Sequence, residues 1–243
     1  MNSIDVFWYA WPWFGLGAAV VMLVVLFATD ACRSNDGPRW RDPVWLAWLM
    51  PAALMIHQFE EYGCHVSGGE YDMIATMATL FASNPIMAGA NVPLLHFPLM
   101  NMVFAWVALP VAAILSKRNP VIGLSSYGFI LANALVHVVS TIGFGVSPLE
   151  SPGFFTGALG FVGLFVVMVL AVRKGSFMNG RALAIAIVCG IAGHLLLAAV
   201  YALSIVGGAP AVVIGDIAVS FAPAILAMAA SGGLVMKKTL GKA

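Results

Sequence analysis

The chain has 243 residues, 62% of them apolar and only 9% charged, with 11 basic against 10 acidic side chains and a mean hydropathy of +0.99. So little charge cannot cover a water-soluble domain of this size, and a net charge of +1 gives no basic surface for a nucleic acid. The composition predicts an all-α polytopic membrane helix bundle, because open strands would leave backbone groups unpaired in lipid.

Seven apolar runs reach the roughly 20 residues that a spanning helix needs. They cover residues 11–29, 44–62, 99–116, 121–143, 153–172, 182–206 and 211–236. The first follows the aromatic cluster Trp8, Tyr9, Trp11 and Trp13, with no basic residue before it. It reads as an uncleaved helix with an interfacial aromatic belt. The connection at 63–98 is the one long loop. Met73, Ile74, Met77, Leu80 and Phe81 recur in it with helical spacing, which predicts a short surface helix acting as a cap or lid.

Basic residues fall only in alternate connections. Arg33, Arg39 and Arg41 lie in the first, Lys117 and Arg118 in the third, Arg173, Lys174 and Arg181 in the fifth, and Lys237, Lys238 and Lys242 at the C-terminus. The positive-inside rule then predicts an outside N-terminus and a cytoplasmic C-terminus. The expected organisation is a single transmembrane domain over 1–243, in a bacterial cytoplasmic (inner) membrane. Cys32, Cys64 and Cys189 fall in different compartments, so an internal disulfide is not expected.

The second run closes on His57-Gln58-Phe59-Glu60-Glu61. Ionisable side chains at membrane depth are rare, face the protein interior and mark functional positions. On a helix, His57 lies one turn from both Glu60 and Glu61, so imidazole and carboxylate can reach into one pocket. At about 1.5 Å per residue, His57 lies roughly 20 Å from the inner end of its helix, His137 near 24 Å, and Asn133 and His194 near 18 Å. Asp216, on a helix running inward, lies roughly 22 Å up in a core of about 30 Å. Inward-facing groups at one depth are expected to meet. His65 and His96, in or beside the long connection, read as surface residues.

These residues resemble a known family of integral membrane proteins named for its HxxEE motif. The first motif is His57-Gln58-Phe59-Glu60-Glu61, the second, an NxxxH, is Asn133-Ala134-Leu135-Val136-His137, and the third is the pair Pro152-Gly153, with Thr156 following. The resemblance spans roughly residues 57–156. It implies a membrane enzyme and supplies no substrate. A looser likeness of chemistry links Glu60-Glu61 to the paired glutamates of intramembrane prenyl-protein proteases, although His65 stands where their motif has arginine.

His57, His137, His194, Glu61 and Asp216 form a donor set for a divalent transition metal, zinc or iron. The paired glutamate that is not a ligand, Glu60 or Glu61, would serve as general base. Asn133 would orient an imidazole or stabilise an oxyanion. The function expected is metal-dependent hydrolysis of a lipophilic small molecule or lipid within the bilayer. A two-iron oxidoreductase with Glu60, Glu61 and Asp216 as added ligands draws on the same residues. A proton- or cation-coupled transporter is the third reading, against which no inverted repeat is visible.

Overall fold

The computed structural model describes residues 3–64, 92–175 and 177–241, with Met73, Met77, Thr79, Ala82 and Ala90 from the long connection. Among the described residues the regular secondary structure is helical throughout and no strand is present. Six helices can be followed over their whole lengths: α1 Ser3–Ala28, α2 Pro43–Tyr62, α3 His96–Leu115, α4 Pro120–Phe144, α5 Phe155–Lys174 and α6 Gly180–Ser231. Ala10–Ala28 and helices α3 to α6 are long and apolar enough to cross a membrane. Helix α2 has 20 residues, but the HxxEE segment lowers its hydropathy.

The starts of the helices are written in the sequence. Asp42 caps α2, accepting from Val44 N and Trp45 N, and Pro43 sits at the first helical position. Asn119 followed by Pro120 repeats the device for α4. Asn179 caps α6 through Arg181 N and Ala182 N. Each side chain satisfies backbone donors that the first turn leaves unpaired, and proline supplies a fitting φ where its missing N–H costs nothing.

Six helical elements, rather than seven, cover the seven predicted apolar runs. The last two predicted runs form one element, α6, whose 52 residues would stretch about 78 Å if straight. It does not run straight. Gly208 has φ 60 and ψ −160, a conformation that only glycine adopts readily, and Pro210 follows it. A Cβ built on Gly193 would stand 2.5 Å from Pro223 Cγ. These two residues lie equally far on either side of Gly208, so the element folds back on itself as a helical hairpin.

Helix α4 packs along this hairpin and against α2 and α5. The approach of α4 to α6 is close at Gly128 and Gly190, where a side chain on either would run into the other helix's backbone. Tyr127 Oη donates to Leu46 O at 2.9 Å, Trp45 Nε1 to Leu26 O at 2.9 Å, and Asn119 Nδ2 to Ser231 Oγ at 2.7 Å. These bonds tie α4 to α2, α2 to α1, and the start of α4 to the end of α6. The outer surface carries Phe14, Val139, Ile142, Val188 and Val206, all exposed, as expected of faces turned to lipid.

Of the predicted lid helix, Ile74, Leu80 and Phe81 lie outside the described residues. Met73 and Met77 are helical, and both line the cavity described next.

Candidate metal centre

The site is built where α2, α4 and the start of α5 meet. His57 and Glu61 face the same side of α2 because they are four residues apart. Helix α4 presents His137 to them. His57 Nε2 lies 3.3 Å from Glu61 Oε1, and His137 Nε2 lies 3.2 Å from the same oxygen. All three side chains are buried, and their donor atoms fall within 4.8 Å of one another. The two imidazoles meet edge to face at 4.8 Å, and Phe161 backs the His57 ring.

Proton placement follows from the neighbours. Glu60 Oε1 accepts from Phe155 N at 2.9 Å, and Glu60 Oε2 accepts from Thr156 N at 2.7 Å and from the Thr156 hydroxyl. The Thr156 hydroxyl has one proton, which it gives to this carboxylate. Toward His57 Nδ1, 2.8 Å away, the same oxygen can therefore only accept. That fixes the neutral His57 tautomer with its proton on Nδ1. A lone pair remains on Nε2, facing the Glu61 carboxylate, and Nε2 has no hydrogen-bond partner among the described residues. Two electron-rich atoms buried face to face repel each other unless a proton or a metal cation lies between them. Donors about 2.0 Å from a tetrahedral metal stand about 3.3 Å apart, and each histidine nitrogen lies at that distance from Glu61 Oε1. The donor set and its outer partners, a carboxylate holding a hydroxyl that holds the imidazole, fit a metal ligand and its support.

The start of α5 explains the Pro152-Gly153 pair. Gly153 has φ +69, and a Cβ on it would lie 2.7 Å from Glu61 Cγ and 2.8 Å from Cε1 of both His57 and His137. Only a glycine lets the chain turn here while leaving the donors in place. The turn then delivers the N–H groups of Phe155 and Thr156 to Glu60, at the head of a π-helical stretch, Phe155–Phe161. π-bulges of this kind are frequent at functional sites.

A cavity of about 340 Å³ opens from this group. Its walls are mostly apolar, with Leu54, Phe97, Met100, Phe104 and Phe129 among them. Its polar lining includes His57, Glu61, His137, Asn133, His194, His96 and Tyr201. Asn133 stands one turn before His137 on α4, and its buried Oδ1 has no partner among the described residues.

Three of the expected site residues lie outside the donor group. Glu60 is no free base, since both its oxygens anchor α5. His194 lines the cavity but lies against the Phe129 ring at 4.8 Å and is not in the donor group. Asp216 is also absent from that group. It is fully buried, and its Oδ1 lies 2.7 Å from His96 Nδ1. The group brought together among the described residues is thus two histidines and one glutamate. His96, read from sequence as a surface residue, is 2% exposed. The signal that could have found it is Asp216 itself, because a carboxylate at that depth needs a partner and His96 begins a helix at the same outer level.

Removing the Thr156 hydroxyl tests the support of His57. Thr156→Val keeps the side-chain shape, and zinc affinity is expected to weaken about 10–100-fold. Competition with a chromogenic chelator measures this directly.

Among known proteins, the sequence model of a family described as proteins of unknown function with an HXXEE motif matches residues 48–168. No curated protein and no solved structure matches the chain.

Proposed function

We propose that this chain, which belongs to the HXXEE-motif family through residues 48–168, is an integral membrane enzyme that hydrolyses a lipophilic substrate with a metal held by His57, Glu61 and His137. The observation that carries the reading is the buried convergence of His57 Nε2 and His137 Nε2 on one oxygen, Glu61 Oε1, at 3.3 and 3.2 Å. Two imidazoles and one carboxylate are the protein ligands of one class of catalytic zinc, with the fourth position open to water. A bound zinc ion would supply a water of lowered pKa and polarise a carbonyl or phosphoryl oxygen. Asn133 supplies an amide at the cavity wall for the substrate's developing negative charge. The apolar walls suit an acyl or prenyl chain.

The same donor set also occurs in mononuclear non-haem iron oxygenases, so an iron-dependent oxidoreductase is the second reading. A two-iron centre fits less well, because Glu60 and Asp216 are both engaged elsewhere. The test is to load purified protein with zinc or with iron(II) and to supply medium-chain nitrophenyl esters. Zinc-dependent release of nitrophenol supports hydrolysis. Activity seen only with iron and oxygen supports the second reading.

The proposed topology has the N-terminus outside and the C-terminus in the cytoplasm, with the α6 hairpin crossing twice. A membrane-impermeant thiol reagent on intact cells is then expected to label Cys64 and spare Cys32. Permeabilisation should open Cys32 to the reagent, and burial pushes this thiol up. Because the thiolate is the reactive form, its labelling should increase toward alkaline pH. Labelling of Cys32 on intact cells would reverse the orientation.

A further inference from the structure

Hydrolysis needs a group to accept the proton of the attacking water, and Glu60 is committed to the start of α5. A second buried pair of titratable side chains stands at the same cavity. His96 opens α3, Asp216 lies in the second arm of the α6 hairpin, and His96 Nδ1 is 2.7 Å from Asp216 Oδ1. As a mere clamp this pair would be poor construction, since an apolar pair holds helices together at least as well without the desolvation cost. Its arrangement also differs from that of a clamp. The His96 ring lines the cavity, whereas Asp216 lies behind it, away from the lining. With Nδ1 given to the carboxylate, the nitrogen left on the other edge of the ring is Nε2. The rings of Phe97 and Tyr201, at 5.2 and 5.1 Å, hold the imidazole between them. The second Asp216 oxygen is buried and has no hydrogen-bond partner among the described residues, while the first pairs with His96. His194, the other cavity imidazole outside the metal group, has no carboxylate within ion-pair distance among them and stands against Phe129.

We propose that His96, oriented by the buried Asp216, is the proton acceptor of this cavity. The proposal rests on the hydrolytic reading given above. His96 Nε2 takes a proton from water as the water oxygen bonds to the carbonyl carbon of an ester. The same proton passes to the leaving oxygen as the carbon–oxygen bond breaks. Ester and water become acid and alcohol, and the imidazole returns to its neutral form. Asp216 is a positioning residue, because it keeps the ring proton on Nδ1 and the lone pair on Nε2.

Diethyl pyrocarbonate tests this without knowledge of the substrate. It is small and apolar, and an unprotonated imidazole nitrogen displaces ethyl carbonate from it. The ring proton leaves with that carbonate, which breaks down to ethanol and carbon dioxide. The full-length, zinc-loaded protein is treated with the reagent in detergent, and modified histidines are mapped by peptide mass. His96 is expected to be acylated in the wild type. Asp216→Asn should slow its acylation by at least about tenfold, since an amide does not fix the reactive tautomer. Asp216→Glu should restore most of the rate. An unmodified His96 in the wild type overturns the proposal whether or not the variants fold, and so does an equal rate in Asp216→Asn. Metal content is measured on the same samples. Acylation of His96 that depends on Asp216 supports the assignment at any metal content, and absence of metal counts against the earlier reading alone.

Discussion

Replacing His57 by alanine is expected to empty the metal site. The ligand sits between Thr156, which holds its Nδ1, and Glu61 Oε1, so its loss removes one of three donors and exposes the other two to mutual desolvation. A metal-to-protein ratio near one should fall to near zero. Stability should fall with it, because a ligand bound at a thousandfold excess over its Kd contributes about 4 kcal/mol, equivalent to a Tm loss on the order of 10 °C for a chain of this size. Elemental analysis and a melting curve in detergent read both effects. Ser147→Ala is the control. Ser147 is an exposed residue whose hydroxyl accepts from Leu149 N, and neither quantity should change.

Gly153→Ala should disrupt the site as thoroughly as losing a ligand, although glycine has no side chain to bind anything. At φ +69 an alanine is strained, and its Cβ would lie 2.7 to 2.8 Å from three carbons of Glu61, His57 and His137. The backbone cost alone is about 1–3 kcal/mol. To relieve the contact, the donor group must spread or the start of α5 must move off Glu60. Metal content is therefore expected to drop by at least about tenfold, a loss of about 1.4 kcal/mol or more in binding. Alanine at Gly143, where an added Cβ meets nothing within 4 Å, should leave metal binding intact.

Much of this site was legible in the sequence because its grammar is helical. His57 and Glu61 share a face by spacing alone, and His137 was placed beside them by counting depth along α4. Glu61 was expected among the donors, but the anchoring role of Glu60 was not legible. Adjacent residues on a helix point about 100° apart, and which carboxylate meets the imidazoles depends on where α5 docks. Nor could the sequence explain Pro152-Gly153, whose meaning lies in a positive φ and in three side chains from α2 and α4. Depth alone did not fix the lateral positions of His194 and Asp216. Both lie near the expected level, but lateral position decided that His194 faces Phe129 and Asp216 meets His96. His96 was obscured by its place next to a long connection with several prolines. Helix starts at Asp42, Asn119 and Asn179 could be read locally, as could the break between the runs ending at 206 and starting at 211, where α6 turns back at Gly208.

The central claim is that His57, Glu61 and His137 hold a metal. It is tested most directly by the metal content of carefully purified wild-type protein, set beside its melting temperature with and without added zinc, iron or manganese. The account predicts about one metal ion per chain, or, for protein stripped by chelator, a melting temperature that rises when one of these metals is returned. Protein that carries no metal, and whose melting temperature none of the three metals changes, would contradict it.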